Sequence, residues 1–347
     1  MYYRHFVGNL KKPYTITLRT LITLFLLAVL AVGGWVGWQF YVPVTPPPDS
    51  SLLLRPGYST RRIASELKKA GVIRSEVAFR VFQLLHPKLT LKAGEYRFER
   101  SERMPQVYRR IARGDIYFHV VTIPEGYTMF DIAKAMEDAK LGSSADFLNI
   151  FQTQTVMISD LAPHAKSLEG YLFPNTYQFT RTQSQMDMVA AMVRQFRQVA
   201  QQIGLSSAPD SDVNKVVTMA SIVEKETAAP EERPLVASVY YNRLAQKVAL
   251  DADPSVIYAE LLAGTYQGAL HHADLAVNSP YNTYRFPGLP PGPIGNPGKS
   301  ALQAALHPET TDFLYFVADG NGHHRFARSL EEHNRNVVTY RHTLGLR

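Results

Sequence analysis

The sequence predicts an α+β protein built from a single N-terminal transmembrane helix, a small α+β module, and a mainly helical C-terminal domain with a small β element. Three observations support this fold class. An uncharged apolar run lies near the N-terminus, a strand-turn-helix pattern occurs twice after it, and apolar residues recur at helical spacing through the second half. We place the boundaries at 1–19 for a cytoplasmic tail, 20–42 for the helix, 43–50 for a Pro-rich spacer, 51–141 for the module and 142–347 for the C-terminal domain.

The composition narrows the class of protein. A chain of 347 residues with 46% hydrophobic and 11% aromatic residues can bury a sizeable core. The formal net charge of +7 suits an anionic partner such as nucleic acid, lipid head groups or an acidic polymer. The sequence has no long basic run, zinc finger or Gly-rich phosphate loop, so we do not expect nucleic-acid binding. It has no cysteine, which excludes disulfides, thiol catalysis and cysteine-based metal sites.

The apolar run within residues 20–42 predicts the transmembrane helix, because about 20 apolar residues suffice to cross a bilayer. Basic residues precede the run, and the first acidic residue of the chain, Asp49, follows it. By the positive-inside rule the N-terminus is cytoplasmic and everything after Tyr41 lies outside. A cleaved signal peptide is the alternative, but the run is long and no Ala-x-Ala site follows it. We therefore predict a retained anchor with a short, stiff spacer behind it.

The small module contains an internal repeat. Residues 57–70 match residues 126–139, and each copy begins at a Pro/Gly turn with an N-cap hydroxyl, from Ser59 or Thr128, before a short helix. An extended apolar stretch precedes each copy. Strand, turn and short helix in this order resemble the LysM-type fold, which binds glycans containing N-acetylglucosamine. The alternative is an α+β spacer without a ligand, which the helical spacing explains equally well.

The stretch 219–227 is the strongest candidate for catalysis. It closes an apolar helical pattern with Glu224 and Glu226, which point about 200° apart on a helix and cannot form a carboxylate pair. At most one of them can face a cleft, where apolar neighbours would raise its pKa and make it a general acid near neutral pH. The alternative is an ordinary solvated helix end. The wide apolar arc of the helix that starts near Asp212 weakens this alternative, because such a helix is buried.

Further candidates lie in turns and loops. An acid and several aromatic residues surround a Gly-Pro turn in 168–177, and aromatic faces suit sugar rings, although core packing explains aromatic residues more often. A helix within 235–244 carries polar residues that could reach an adjacent site, and the Pro/Gly-rich loop 278–298 is unusually long for a segment without function. The predicted substrate-binding residues are Glu169, Tyr171, Tyr177, Asn242, Asp253, Tyr281, Asn282 and Tyr284.

The sequence gives little support for a metal site or for a Ser-His-Asp catalytic triad. Two His-His pairs, at 271–272 and 323–324, would point their side chains apart, and no His-Glu-x-x-His motif occurs. Loop polarity explains these pairs better than a metal site does. The sequence also lacks Gly-x-Ser-x-Gly, so a Ser-His-Asp hydrolase is unsupported. We expect no metal and no cofactor.

Several motifs occur in a fixed order after the apolar run. They are Leu168–Tyr177, Ala220–Thr227, Tyr241–Leu244, Asp253–Tyr258, Tyr281–Tyr284, Gly288–Gly292 and Tyr315–Gly320. Together they resemble the MltG (YceG-like) family of membrane-anchored endolytic murein transglycosylases, and the resemblance covers nearly everything after residue 50. One departure is Asn175, where family members carry Asp.

The resemblance implies cleavage of the β-1,4 bond between N-acetylmuramic acid and N-acetylglucosamine, with a 1,6-anhydromuramoyl product end. The muramoyl 6-hydroxyl attacks the anomeric carbon, so one carboxyl group can serve as acid and then as base, whereas most glycosidases need two. Soluble lytic transglycosylases carry an Ile-x-x-x-Glu-Ser signature, and Ile222–Thr227 matches it with Glu226. The resemblance therefore favours Glu226 as the catalytic acid, with Glu224 as a structural acid or the alternative catalyst.

The resemblance also implies peptidoglycan glycan strands as substrate, peptidoglycan synthases as partners, and no cofactor. It implies a single-pass protein of the inner (cytoplasmic) membrane whose C-terminal domains are periplasmic. The short spacer suggests that nascent strands are cut close to the membrane. Two alternatives stay open at this point, a non-catalytic membrane-tethered scaffold that binds peptidoglycan and a muramidase that uses water.

Overall fold

The computed structural model describes residues 17–48, 50–207 and 212–344 and divides the chain into two compact units, Met1–Tyr117 and Phe118–Arg347. The described residues are mainly helical and contain three two-stranded antiparallel sheets. This agrees with the predicted α+β class. The second copy of the repeated pattern falls in the second unit, whereas the sequence prediction groups both copies in one module. The resemblance of that module to LysM stays a prediction.

The N-terminal helix α1 spans Leu18–Tyr41. Its 24 residues rise about 36 Å at 1.5 Å per residue, which exceeds the roughly 30 Å hydrocarbon layer of a bilayer. Thr17 caps its start, since the Thr17 side chain accepts a hydrogen bond from the Thr20 amide. Most of its side chains are exposed. The helix is therefore long and apolar enough to cross a membrane, as the sequence predicts.

The rest of the first unit is a small sheet with three helices. Strands β1 and β2 pair with Ser50 opposite Phe98 and Leu54 opposite Gly94. A compact core of fully buried aromatic and aliphatic side chains, among them Phe79 and Tyr108, holds the unit together. The elements are β1 (Ser50–Leu54), α2 (Thr60–Lys69), α3 (Glu76–Leu85), β2 (Gly94–Phe98) and α4 (Met104–Arg113).

The second unit packs eight helices and two small sheets among its described residues. Strand β3 pairs with β4, and β5 with β6 forms the hairpin that the turn at 319–322 predicts. The elements are β3 (His119–Thr122), α5 (Met129–Asp138), α6 (Ser144–Thr153), β4 (Thr176–Phe179), α7 (Gln185–Gln202), α8 (Val213–Glu226), α9 (Arg233–Ala245), α10 (Asp253–Ala263), α11 (Lys299–Leu306), β5 (Tyr315–Ala318), β6 (His324–Ala327) and α12 (Leu330–Thr343).

Helix α8 runs through the core of the second unit and packs against α9, α10 and α11. Every residue from Val216 to Val223 is buried, as the wide apolar arc predicts. Asp212 caps its start by accepting a hydrogen bond from the Lys215 amide. The chain turns to an extended conformation at Thr227, so Glu226 is the last helical residue. The core helix thus delivers both glutamates at its C-terminal end.

Candidate active site

Glu226 is a half-buried carboxyl group at the C-terminal end of α8. Tyr240, a buried residue of α9, hydrogen-bonds to it. Burial raises the pKa of Glu226 to about 7, the charge of Asp253 adds to the rise, and the hydrogen bond from Tyr240 opposes it. The negative end of the helix dipole also disfavours the carboxylate. Glu226 therefore keeps a proton on a substantial fraction of molecules near neutral pH, as a general acid must.

Two of the predicted residues lie around this carboxyl group. Asp253 is the first residue of α10, and the Tyr284 hydroxyl donates a hydrogen bond of 2.6 Å to it. Burial is the main cause of the raised pKa of Tyr284, and its hydrogen bond to Asp253 and the charges of Asp253 and Glu226 add to the rise. The end of α8, the start of α10 and the loop 278–298 therefore bring Glu226, Asp253 and Tyr284 into one polar cluster.

Glu224 has a different set of partners from Glu226. Its Oε1 accepts a hydrogen bond of 2.6 Å from Arg233, and its Oε2 accepts one of 2.8 Å from the Gly298 amide. The side chains of Glu224 and Arg233 are only 5% and 7% exposed. Burial raises the pKa of Glu224, whereas the Gly298 amide and the Arg233 charge lower it. Protonation of Glu224 would leave the guanidinium buried without its closest partner, so this geometry fits a structural acid.

Glu169 has the same raised pKa, about 7, but a different setting. Burial is the main cause, because the residue is only 1% exposed. Both carboxyl oxygens accept from the Met129 amide at the start of α5, at 3.0 and 2.9 Å, and Asn296 donates to Oε1 at 2.7 Å. Asn296 also accepts from the Leu172 amide at 2.9 Å. Glu169 therefore ties three loops together and offers no surface to a polysaccharide, contrary to the predicted substrate contact.

The two predicted tyrosines of the 168–177 turn also belong to the core. Tyr171 is fully buried and donates to Asn214 Oδ1 at 2.9 Å, and Tyr177 is buried with its hydroxyl on the Phe173 carbonyl at 2.6 Å. Neither ring presents a face for stacking on sugar. Asn175 in this turn accepts a hydrogen bond of 2.8 Å from the Thr176 amide, which an Asp would also accept.

The remaining predicted residues differ in exposure. Asn242 donates to two carbonyl oxygens of the loop 307–314, at 2.9 and 3.0 Å, and the fully buried Asn282 donates to two carbonyl oxygens of the segment 275–277, at 2.9 and 2.8 Å. These hydrogen bonds hold two loops in place, and substrate contact by the half-buried Asn242 stays a prediction. Tyr281 is half-buried, and its ring centroid lies 5.1 Å from that of Tyr258.

Sequence reasoning missed Tyr240, Arg233 and Asn296. Each supports a carboxyl group from another element, Arg233 and Tyr240 from the next helix and Asn296 from a distant loop, and no spacing rule links the partners. Tyr240 follows the helical pattern of a core residue and carries no motif of its own for this role. The His323–His324 pair also differs from the prediction, because both rings approach Glu232, His324 at 2.6 Å and His323 at 3.3 Å. Within residues 17–48, 50–207 and 212–344, no group of three or more His, Asp or Glu side chains could hold a metal ion.

Known proteins resemble this chain over most of its length. The endolytic murein transglycosylase of Bacillus subtilis (strain 168) is 36% identical over 301 residues, which is 82% of each chain. The endolytic murein transglycosylase of Streptococcus pneumoniae (strain D39) is 30% identical over 355 residues, with 91% of this chain and 64% of the relative covered. A crystal structure of a YceG-like protein from Listeria monocytogenes, 34% identical, aligns with a TM-score of 0.57 over 82% of this chain and 97% of that one.

The family model described as the YceG-like family matches residues 52–339. This match spans both compact units except for the N-terminal helix region and the last residues. It includes Glu224, Glu226 and every residue predicted to bind substrate. With the identity to the relatives above, it shows that the chain belongs to the YceG-like family.

Proposed function

We propose that this protein is a membrane-anchored lytic transglycosylase that cuts inside peptidoglycan strands, at the β-1,4 bond between N-acetylmuramic acid and N-acetylglucosamine. The observation that carries the proposal is the half-buried Glu226 carboxyl group with a pKa of about 7, in a family whose relatives are named endolytic murein transglycosylases. Glu169 shares the pKa but is enclosed, and Glu224 is paired with Arg233. Glu226 is the acid of these three that fits proton transfer to a substrate.

A single carboxyl group can carry the whole reaction. Glu226 gives its proton to the glycosidic oxygen while the bond from that oxygen to the muramoyl anomeric carbon breaks. The muramoyl 6-hydroxyl oxygen then bonds to the same carbon, and the Glu226 carboxylate takes the hydroxyl proton. No water is consumed, and the product end is a 1,6-anhydro sugar. The Tyr240 hydroxyl stabilises the carboxylate between the two steps, and the negative charge of Asp253 favours the positive charge that develops on the sugar ring.

Product analysis tests this proposal against the two alternatives. The full-length protein in detergent is incubated with purified cell-wall sacculi, and the released glycans are analysed by mass spectrometry. Anhydromuramoyl ends support transglycosylation. Reducing ends would instead show a muramidase that uses water, and the absence of products would favour a non-catalytic scaffold that binds peptidoglycan.

We further propose the location that the N-terminal charge pattern indicates, an inner-membrane protein with a cytoplasmic N-terminus and periplasmic C-terminal domains. The apolar helix α1 and the first acid at position 49 support this topology. Nascent strands near the membrane are then the nearest substrate, and we expect peptidoglycan synthases as partners. We also expect the LysM-like module to contact glycan.

The activity is expected to fall as the pH rises through about 7. Burial raises the pKa of Glu226 from its ordinary value of 4.5 to about 7, so the required proton is present below this pH and lost above it. The rate of anhydro-end formation should therefore fall about tenfold per pH unit on the alkaline side. Replacing Tyr240 by Phe removes a hydrogen bond that favours the carboxylate and should move this alkaline limb to higher pH.

Circular dichroism over the same pH range is the control for unfolding. Two results would contradict the proposal that Glu226 is a buried acid hydrogen-bonded to Tyr240. One is a rate that already falls near the ordinary glutamate pKa, and the other is a pH–rate profile that Tyr240→Phe does not shift.

A further inference from the structure

A cavity of about 440 Å³ opens in the second unit, between the start of α5, the end of α8 and α10. Apolar side chains of α10, Ile257 and Leu261, form one wall with Ile294 and Tyr266, and Lys225 and Asp131 supply the charges. We call this cavity the Lys225 pocket. It is large enough for several side-chain-sized groups, and the proposed reaction leaves it unused.

Lys225 is the unengaged charge of this pocket. It is exposed, and it has no hydrogen bond or ion pair to any part of the chain that the structure describes, although its charge acts at longer range on Glu169 and Glu224. Its aliphatic stem runs over two glycines. A Cβ built on Gly295 would lie 3.5 Å from Lys225 Cε and 2.9 Å from the Gly126 carbonyl oxygen, so a side chain there would crowd the lysine. The two glycines thus leave room for the lysine stem.

Asp131 is the opposite charge in the pocket, and it is already engaged. Its Oδ2 accepts hydrogen bonds from the Thr128 amide at 2.9 Å and from the Thr128 hydroxyl at 2.7 Å. A polyanion such as a diphosphate would meet this carboxylate and an apolar wall. A ligand with separate carboxylates and alkyl groups fits the pocket better, because each of its groups finds a complementary surface.

Two residues that line the pocket are chain neighbours of the polar cluster around Glu226. Lys225 directly precedes Glu226, so their Cα atoms lie about 3.8 Å apart, and the pocket residue Pro254 directly follows Asp253. A muramoyl residue bound at Glu226 would therefore bring its substituents within reach. In peptidoglycan this residue carries a peptide on its lactyl group, and that peptide has free carboxylates and alkyl side chains.

We propose that the Lys225 pocket binds the peptide of the muramoyl residue at the scissile bond. The Lys225 ammonium pairs with a peptide carboxylate, and the apolar wall takes the methyl and methylene groups. This inference rests on the proposed function, since it assumes that a muramoyl residue is bound at Glu226. It makes the pocket a determinant of specificity for peptide-bearing over peptide-free strands.

The test compares uncrosslinked glycan strands that bear peptides with the same strands after an amidase has removed the peptides. Lys225→Gln should raise KM for peptide-bearing strands about tenfold, as expected for one charge-assisted hydrogen bond, and leave kcat unchanged. KM for peptide-free strands should stay at the wild-type value. Leu261→Gln on the apolar wall should likewise raise KM for peptide-bearing strands and leave KM for peptide-free strands unchanged. Lys215→Gln is the matched control, because Lys215 lies on the same helix, is absent from the pocket lining and pairs with Asp212 at 3.3 Å.

Equal losses on both kinds of strand, or no loss on either, would overturn the inference. Equilibrium binding of the two strand types to Glu226→Gln and to Glu226→Gln/Lys225→Gln gives a second readout that needs no turnover. If wild-type protein formed no anhydro ends but the binding difference remained, the proposed reaction would fail and the peptide site would stand.

A separate observation concerns the outer face of α3 in the first unit. Its inner face, including Phe79 and Phe82, packs into the core. Four large apolar residues at the spacing i, i+4, i+7 and i+8 form a second stripe on the outside. They are Val77, Val81, Leu84 and Leu85, with exposed fractions of 61%, 40%, 77% and 69%.

This stripe adjoins the end of α1. Arg74, two residues before the start of α3, donates to the carbonyl oxygens of Val42 and Pro43, and its guanidinium lies 4.9 Å from the ring centroid of Trp38. The Phe40 and Phe82 rings also lie 6.4 Å apart. These contacts fix α3 at the point where the proposed anchor would leave the membrane.

We infer that the outer face of α3 inserts into the head-group boundary of the membrane that α1 crosses. The exposed Arg80 and Lys88 next to the stripe suit anionic lipid head groups. A lipid surface therefore fits both the apolar stripe and its basic rim. The inference rests on the proposed anchoring by α1.

The chain has no cysteine, so one introduced cysteine gives a site-specific probe. The full-length protein with Leu84→Cys, labelled with an environment-sensitive fluorophore, is placed in nanodiscs with brominated acyl chains at one protein per disc. Fluorescence at Leu84→Cys should be quenched severalfold more than at Lys68→Cys on α2, which is exposed and lies off the stripe. Equal quenching at the two sites would overturn the inference. A label at Leu30→Cys in α1 should be quenched whether or not α3 inserts. An unquenched label there would count against the proposal that α1 anchors the protein in the membrane.

Discussion

Replacing Glu226 by Gln is expected to reduce the formation of anhydromuramoyl ends by a factor of about 10² to 10⁴, the usual contribution of a positioned general acid and base. The amide keeps the size of the side chain and can still accept the hydrogen bond from Tyr240. It cannot supply a proton to the glycosidic oxygen or take one from the 6-hydroxyl. The loss should therefore appear in kcat, with KM near the wild-type value.

The controls separate catalysis from folding. Burial raises the pKa of Glu226 to about 7, so above this pH the folded protein holds an unfavourably buried carboxylate. The folded state binds the proton more tightly than the unfolded chain, so Glu226 destabilises the fold as the pH rises, and the Gln variant should melt at the same or a slightly higher temperature at pH 8. Wild-type turnover in Glu226→Gln would remove Glu226 as the catalyst.

The sequence was informative about α8 because helical periodicity acts over a few residues. The spacing of Glu224 and Glu226 predicts that they do not act as a carboxylate pair, and in the structure Glu224 pairs with Arg233 and the Gly298 amide whereas Glu226 hydrogen-bonds to Tyr240. The wide apolar arc of α8 likewise predicts that this helix is buried. Both conclusions depend only on residues that are neighbours in one helix.

The partners of these acids could not be predicted, because they depend on how distant segments pack. The Gly298 amide reaches Glu224 across 74 positions of sequence, and Asn296 reaches Glu169 across 127. For Tyr171 and Tyr177 the local sequence pattern itself is ambiguous. An aromatic residue beside a Gly or Pro turn has the same pattern whether it stacks on a sugar or fills a core, and only the packed structure places both in the core.

Arg233→Met is expected to have the largest effect on stability. It leaves the Glu224 carboxylate buried without its cationic partner, and breaking a buried ion pair in this way typically destabilises a protein by about 3–5 kcal/mol. At roughly 2–4 °C per kcal/mol for a unit of this size, the melting temperature should fall by about 10 °C. Differential scanning calorimetry of the full-length protein in detergent measures the shift. Arg335→Met is the matched control, because its pair with Glu331 is 65% and 85% exposed and should contribute less than about 1 kcal/mol.

The double variant Arg233→Met/Glu224→Gln tests the cause of this loss. Once the buried charge is gone, the neutral amide still accepts the Gly298 hydrogen bond, so much of the lost stability should return. A double variant as unstable as Arg233→Met would mean that the arginine acts through packing rather than through Glu224. If Arg233→Met melted no lower than Arg335→Met, the ion pair would be unnecessary for the fold. Restored stability together with wild-type kcat would fix Glu224 as the structural acid and leave Glu226 alone in catalysis.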